Sequence, residues 1–227
     1  MAEQLGLELP SRTALRRADF LVAPSNAIAV AMIENWQDWS GGKLVLAGPE
    51  GAGKTHLTHV WAGLSGAIVI PAVDLCNADI PLLSCTDIAI EDVPKIAGHT
   101  QAEQALFHLH NLVLAEGHSL LLTGVGEPSH WHLALPDLQS RVSATQTATL
   151  QAPDDALLAA VMAKLFADRQ IMPKTDVIPY LIRRIDRSFA AARQVVALLD
   201  AASLAQKKPL TRSLAAATLD KRDCNGQ

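Results

Sequence analysis

The sequence predicts an α/β fold: a parallel sheet covered on both faces, followed by a small helical unit. Three observations predict it. Short apolar runs alternate with stretches of helical periodicity from Lys43 to Gln151. The strand pattern stops at Pro153, and only helical periodicity follows. A G-x-x-x-x-G-K-T segment joins the first strand to the helix after it. Strands separated by helix-length segments return parallel, and such a sheet is buried on both faces.

Taken in order, residues 11–23 are mixed, with Arg12, Arg16 and Arg17 as a basic cluster. Pro24 and Ser25 read as a helix start with Ser25 as cap. Ile28, Met32, Ile33 and Trp36 recur at helical spacing, and Gly41-Gly42 is the expected stop. KLVLAG from Lys43 is a buried strand; loop and helix follow from Gly48. AIVIP from Ala67 and DIAIED from Asp87 are the second and third strands. The helix from Thr100 has Thr100 as expected N-cap, Glu103 three residues on and Gly117 as terminator. SLLLTG from Ser119 and TATLQ from Thr147 give strands four and five. Beyond Ala152-Pro153, the segments DDALLAAVMAKLFADRQ, DVIPYLIRRI and SFAAARQVVALLDAASLAQKK read as helices, and RDCNGQ reads as a tail.

Composition narrows the function. The chain has 227 residues, 49% of them apolar, so it can build one large domain or a domain with an appendage. The net charge of −4 lacks the basic footprint of an autonomous nucleic-acid binder, so no strong DNA binding by the chain alone is expected. Cys76, Cys85 and Cys224 are odd in number and lack C-x-x-C spacing, which favours neither a disulfide framework nor zinc. A reducing cytoplasm fits. No segment reads as a signal peptide or a bilayer span, so no membrane association is expected. The histidine pair His108 and His110 falls on different faces of a helix, which disfavours a shared metal.

Gly48 to Thr55 carries the clearest chemistry. Glycines let backbone N–H groups turn inward around phosphate oxygens, and the following helix N-terminus adds positive potential. Gly48, Gly51 and Gly53 shape the loop, Lys54 would reach the β- and γ-phosphates, and Thr55 would ligate Mg²⁺. ATP hydrolysis at such a loop also needs an acid at a neighbouring strand end. Glu91 and Asp92 stand there, with Glu in the place where Asp is usual. Thr123 is the sole hydroxyl at the end of the fourth strand, and Val125 brings no polar group. Arg141, just before the last strand, is of the type that can serve a neighbour's phosphates in trans. Arg183, Arg184, Arg187 and Arg193 stand in the helical part, and composition does not choose among them. The opening Q-L-x-L-x-L, with Gln4, Leu5, Leu7 and Leu9, alternates like a strand with one apolar face. It reads either as a segment for a partner's groove or as leucines packed on the chain's own core.

Together, DFLVAPSNAIAVAMIENW, LVLAGPEGAGKTHLTHVWA, DIAIEDV, LLLTG, LQSRV and DRSF resemble the AAA+ module of DnaA, the bacterial replication initiator. The resemblance covers roughly residues 18–220 and is most specific at the phosphate loop. With Q-L-x-L-x-L in front and no helix-turn-helix domain in the sequence, the chain is most similar to the Hda family of DnaA-related regulators. The resemblance implies an AAA+ P-loop domain with a five-stranded parallel sheet at 18–152, a helical lid at 153–221, and a clamp-binding tail at 1–17. It implies ADP or ATP with Mg²⁺ as cofactors. Phe20, Leu21, Val22 and Asn26 would line the adenine pocket, His56 joins the nucleotide-binding set, and Arg187 takes the sensor 2 place. Gln4, Leu5, Leu7 and Leu9 would dock on the sliding clamp of DNA polymerase. Arg141 would reach ATP held by DnaA. A homodimer is an open oligomeric state. Glu91 and Val125 depart from the family pattern and imply weak turnover by the chain itself, with Thr55 and Glu91 as metal ligands. The alternative is a self-contained ATPase of helicase-loader type, with Glu91 or Asp92 activating water.

Overall fold

The computed structural model describes residues 20–206 and 208–225. The tail residues Gln4, Leu5, Leu7 and Leu9 lie outside them. Strands β1 (Lys43–Ala47), β2 (Ile68–Pro71), β3 (Ile88–Glu91), β4 (Leu120–Gly124) and β5 (Thr147–Thr149) form one sheet in the order β2-β3-β4-β1-β5. Every pairing is parallel. Helices α1 (Ala27–Glu34) and α2 (Lys54–Ser65) cover one face. Helices α3 (Ile80–Leu83), α4 (Thr100–Ala115) and α5 (Pro136–Ser143) cover the other.

The strands read as unbroken apolar runs because alternate residues serve different cores. Leu44, Leu46 and Leu121 pack with Ile33, Leu57 and Trp61. Val45, Leu120 and Leu122 pack with Leu106, Leu109 and Val113. Helices α6 (Asp155–Asp168), α7 (Val177–Ile182), α8 (Phe189–Gln206) and α9 (Arg212–Asn225) follow the sheet and build a third cluster around Met162, Phe166, Leu181 and Val195. No helix among the described residues is long and apolar enough to cross a membrane.

Four local expectations need correction. The first helix begins at Ala27 after a turn, with Asn26 rather than Ser25 at its N-cap position. Ser25 instead gives its carbonyl to the Gln151 N–H, 3.1 Å away. The same helix stops at Glu34, well before Gly41-Gly42. Its last carbonyls are taken by side chains: Asn35 Nδ2 donates to Ala31 O at 2.8 Å, and Trp39 Nε1 donates to Met32 O at 2.7 Å. Helix α9 runs over part of the stretch read as a tail.

The fourth correction concerns α4. His99 is its N-cap, its Nδ1 accepting from the Ala102 N–H, and Thr100 is already helical. Glu103 closes no capping box. It is buried, and its carboxylate accepts from the N–H groups of Gly98 (2.7 Å), Ala134 (2.9 Å) and Leu135 (2.6 Å). One side chain thus ties the turn before α4 to the turn before α5. Glu103→Ala leaves three backbone donors without that acceptor and is expected to cost about 3 kcal/mol. The melting temperature should then fall by roughly 6–12 °C. Calorimetry checks this, and an unchanged midpoint would remove Glu103 from the list of supports.

Candidate nucleotide site

The site lies where the carboxyl ends of β1, β3 and β4 meet. In an open parallel sheet, ligands bind in that crevice. Pairing of β1 with β4 places Ala47 beside Gly124, and the Gly48 N–H donates to the Gly124 carbonyl at 3.3 Å. Pairing of β3 with β4 places Ile90 beside Leu122, so Glu91 and Thr123 follow together. The Thr123 hydroxyl accepts from the Asp92 N–H at 3.1 Å. That gives Thr123 a definite task in fixing the acidic strand end.

The loop from Gly48 to Gly53 opens directly into α2. Gly51 (φ 70°) and Gly53 (φ 100°) stand in left-handed backbone that a side chain resists. They also leave no room for one. A Cβ on Gly51 would lie 2.5 Å from Ser188 Cβ, and one on Gly53 would lie 3.2 Å from the Phe189 ring. The Phe189 N–H donates to the Gly51 carbonyl at 2.9 Å. The start of α8 is therefore seated on the loop. Phe20 adds a ring edge-on to His56, with centroids 5.1 Å apart. Three rings thus gather beside Gly53.

Lys54 is buried, and its ammonium donates to Gly48 O at 2.8 Å and Pro49 O at 2.9 Å. Burial lowers its pKa; the charges of Asp92, Glu50 and Glu91 oppose that shift. The next residue, Thr55, is exposed. Glu91 holds its Oε1 buried and without a hydrogen-bond partner. A carboxylate oxygen left over at a strand end, and an exposed threonine hydroxyl at the start of α2, are both oxygen donors of the kind that suits a hard cation. Asp92 stands in left-handed backbone (φ 58°), and its Oδ2 lies 2.7 Å from Lys95 Nζ. Of the two acids, Glu91 is the one with a buried oxygen that has no hydrogen-bond partner among the described residues.

The other sequence candidates fall as follows. Asn26 is buried and shapes the segment in front of α1. Its Nδ2 donates to Leu21 O, and its Oδ1 accepts from the Ala23 N–H, both at 2.9 Å. Leu21 is half-buried and Val22 exposed. Arg187, next to Ser188, pairs with Asp155 Oδ1 at 2.9 Å. Val125 is exposed and brings no polar group. Sequence reasoning missed Lys95, Ser188 and Phe189; proximity of the last two to Arg187 was the available signal.

Arg141 does not join this cluster. It sits in the last turn of α5 with its guanidinium 5.0 Å above the Phe107 ring. It is exposed and makes no ion pair among the described residues. Its charge is felt by Lys43, the first residue of β1, whereas the phosphate loop follows Ala47, the last. About 13 Å of strand separates the two ends.

This architecture is found in known structures. Domain III of the replication initiation protein DnaA from Thermotoga maritima superposes with a TM-score of 0.81 at 18% identity, over 94% of this chain and 98% of that one. The fold is AAA+. AMPPCP-bound DnaA from Aquifex aeolicus matches with a TM-score of 0.68 at 16% identity, over 79% of this chain and 63% of that one. The AAA+ likeness extends to the RuvB Holliday junction branch migration motor of Thermotoga maritima. That match has a TM-score of 0.62 at 16% identity, over 84% of this chain and 64% of that one. The chain thus spans nearly all of the isolated DnaA domain and just under two thirds of the longer proteins. No protein-family model matches the sequence.

Proposed function

We propose that this chain is an adenine-nucleotide-binding regulator of replication initiation, of the Hda type. It binds the sliding clamp of DNA polymerase through Gln4, Leu5, Leu7 and Leu9 and stimulates hydrolysis of ATP held by DnaA. Gly48, Gly51 and Gly53 wrap the phosphates of ADP or ATP, and Lys54 neutralises them. Phe20 and His56 flank the base with the backbone of residues 21–23, which Asn26 fixes. Arg187, next to the Ser188 that meets Gly51, would exchange Asp155 for a phosphate. Thr55 and Glu91 are the residues suited to Mg²⁺, which supplies positive charge to phosphate oxygens when bound. The observation that carries the reading is the place of Arg141. An exposed arginine without an acidic partner, at the sheet end away from its own phosphate loop, is suited to a neighbour's nucleotide. The AAA+ fold shared with DnaA supports DnaA as that neighbour.

A second reading rests on Glu91. A buried, unpaired carboxylate oxygen beside the phosphate loop suits a base for the chain's own hydrolysis. Steady turnover of ATP by the isolated chain would favour a self-contained ATPase of helicase-loader type.

The test uses purified clamp loaded on DNA, ATP-bound DnaA, the full chain and a chain lacking residues 1–10. The full chain should bind the clamp and accelerate hydrolysis by DnaA. The shortened chain should lose both at moderate concentration. A full chain that ignores the clamp and leaves DnaA unchanged would overturn the reading.

A further inference from the structure

Lys43 opens β1, and the charge of Arg141 acts on it. Its ammonium lies 3.3 Å from His110 Nε2, and His110 is buried on α4. Phe107, which carries the Arg141 guanidinium, is one turn earlier on the same helix. Residues three apart share a helix flank, about 5–6 Å between Cβ atoms. One flank of α4 therefore holds two cations by two different means: a ring face under Arg141 and a ring nitrogen against Lys43.

Neither cation makes an ion pair with a carboxylate among the described residues. The pair is instead self-opposed, since burial first and Arg141 second lower the pKa of Lys43. Burial and the Lys43 charge bring His110 down to about 4, so at neutral pH its ring is uncharged and its Nε2 accepts from Lys43. A neutral histidine that holds a lysine beside an arginine is a costly arrangement unless an anion arrives between them. The guanidinium stacked on Phe107 keeps its N–H edge available for that anion.

We propose that Lys43 is a second cation of the Arg141 site, held by His110 so that both charges grip the terminal phosphates of a nucleoside triphosphate on a neighbouring subunit. The proposal rests on the reading of Arg141 as acting in trans. His110 is a positioning residue that touches Lys43 rather than phosphate.

The first measurement is single-turnover hydrolysis of DnaA-bound ATP with saturating chain and clamp. Lys43→Met should lower the maximal rate about tenfold with little change in the concentration giving half-maximal stimulation, and Lys43→Arg should restore most of it. Circular dichroism confirms that both variants fold. If Arg141→Ala abolishes stimulation while Lys43→Met matches the wild-type chain, the role of Lys43 is overturned and the trans reading stands. If the wild-type chain gives no stimulation, the trans reading itself falls, and this proposal with it.

A second readout needs no DnaA. In a Lys54→Ala chain, tripolyphosphate should shift the His110 imidazole NMR signals, and Lys43→Met should remove that response. No shift with tripolyphosphate overturns the anion site outright. Salt-sensitive duplex DNA binding that depends on Lys43, with no effect on DnaA hydrolysis, would reassign the two cations to a nucleic-acid backbone and overturn the proposal as stated.

Discussion

Arg141→Ala should lower stimulated hydrolysis of DnaA-bound ATP by about a thousandfold or more, while leaving the chain's own nucleotide affinity unchanged. The magnitude follows from the transition state. Phosphoryl transfer spreads negative charge over the transferred group, and an arginine supplied by a neighbour is worth roughly 10³–10⁵ in rate. The unchanged affinity follows from position, because Arg141 stands on α5 over Phe107, and its charge acts on Lys43, the residue of β1 farthest from the phosphate loop. The fold should tolerate the change. Arg141 makes a single ring contact, with Phe107, and such an exposed contact is worth about 0.5–1 kcal/mol. Lysine should not rescue it, since a point charge neither stacks on Phe107 nor offers a planar pair of donors. Single-turnover hydrolysis with saturating chain and clamp reads the effect; nucleotide titration of the free variant is the control. Full stimulation by Arg141→Ala would sink the trans mechanism. Loss of the chain's own nucleotide affinity would mean that Arg141 serves its own site.

The sheet was legible because its information is local. LVLA, IAI and LLL are unbroken apolar runs, with polar residues only at the strand ends. A strand buried on both faces requires that pattern. The phosphate loop was legible for the same reason, since eight consecutive residues carry strand end, turn and helix start. What escaped depends on contacts between distant parts of the chain. The end of α1 is set by Asn35 and by Trp39, which reaches back to Met32. Glu103 has the spacing of a capping box, yet it serves Ala134 and Leu135, some thirty residues away. Nothing near Gly51 in sequence announces that Ser188 and Phe189 sit on it. The same holds for Lys43 and His110, which read as a strand edge and a helix histidine until α4 brings them within 3.3 Å. Sequence therefore located the phosphate loop and left its cover, its acid pairing and the surroundings of Arg141 to the fold.

Lys54→Ala should weaken ADP and ATP binding by about a hundredfold or more, a loss of about 2.7 kcal/mol. Lys54 is the cation at the centre of a loop that otherwise faces acids, since the charges of Asp92, Glu50 and Glu91 all act on it. Its removal leaves those charges to oppose the phosphates directly. The ammonium is positioned in advance by Gly48 O and Pro49 O, so little side-chain freedom is lost when a phosphate takes over as acceptor. Two carbonyls lose a donor in the variant: Pro49 is exposed and its carbonyl can turn to water, whereas Gly48 is buried and its carbonyl is left unpaired, so the melting temperature should fall by roughly 2–4 °C. Isothermal titration with ADP and with ATP checks the affinity. Glu91→Gln supplies the contrast. It removes a negative charge from the same crevice, so nucleotide affinity should hold or rise while any turnover by the chain itself falls. Undiminished binding by Lys54→Ala would overturn the assignment of the loop. Loss of binding in both variants would instead mean that Glu91 acts mainly as a metal ligand on which nucleotide affinity depends.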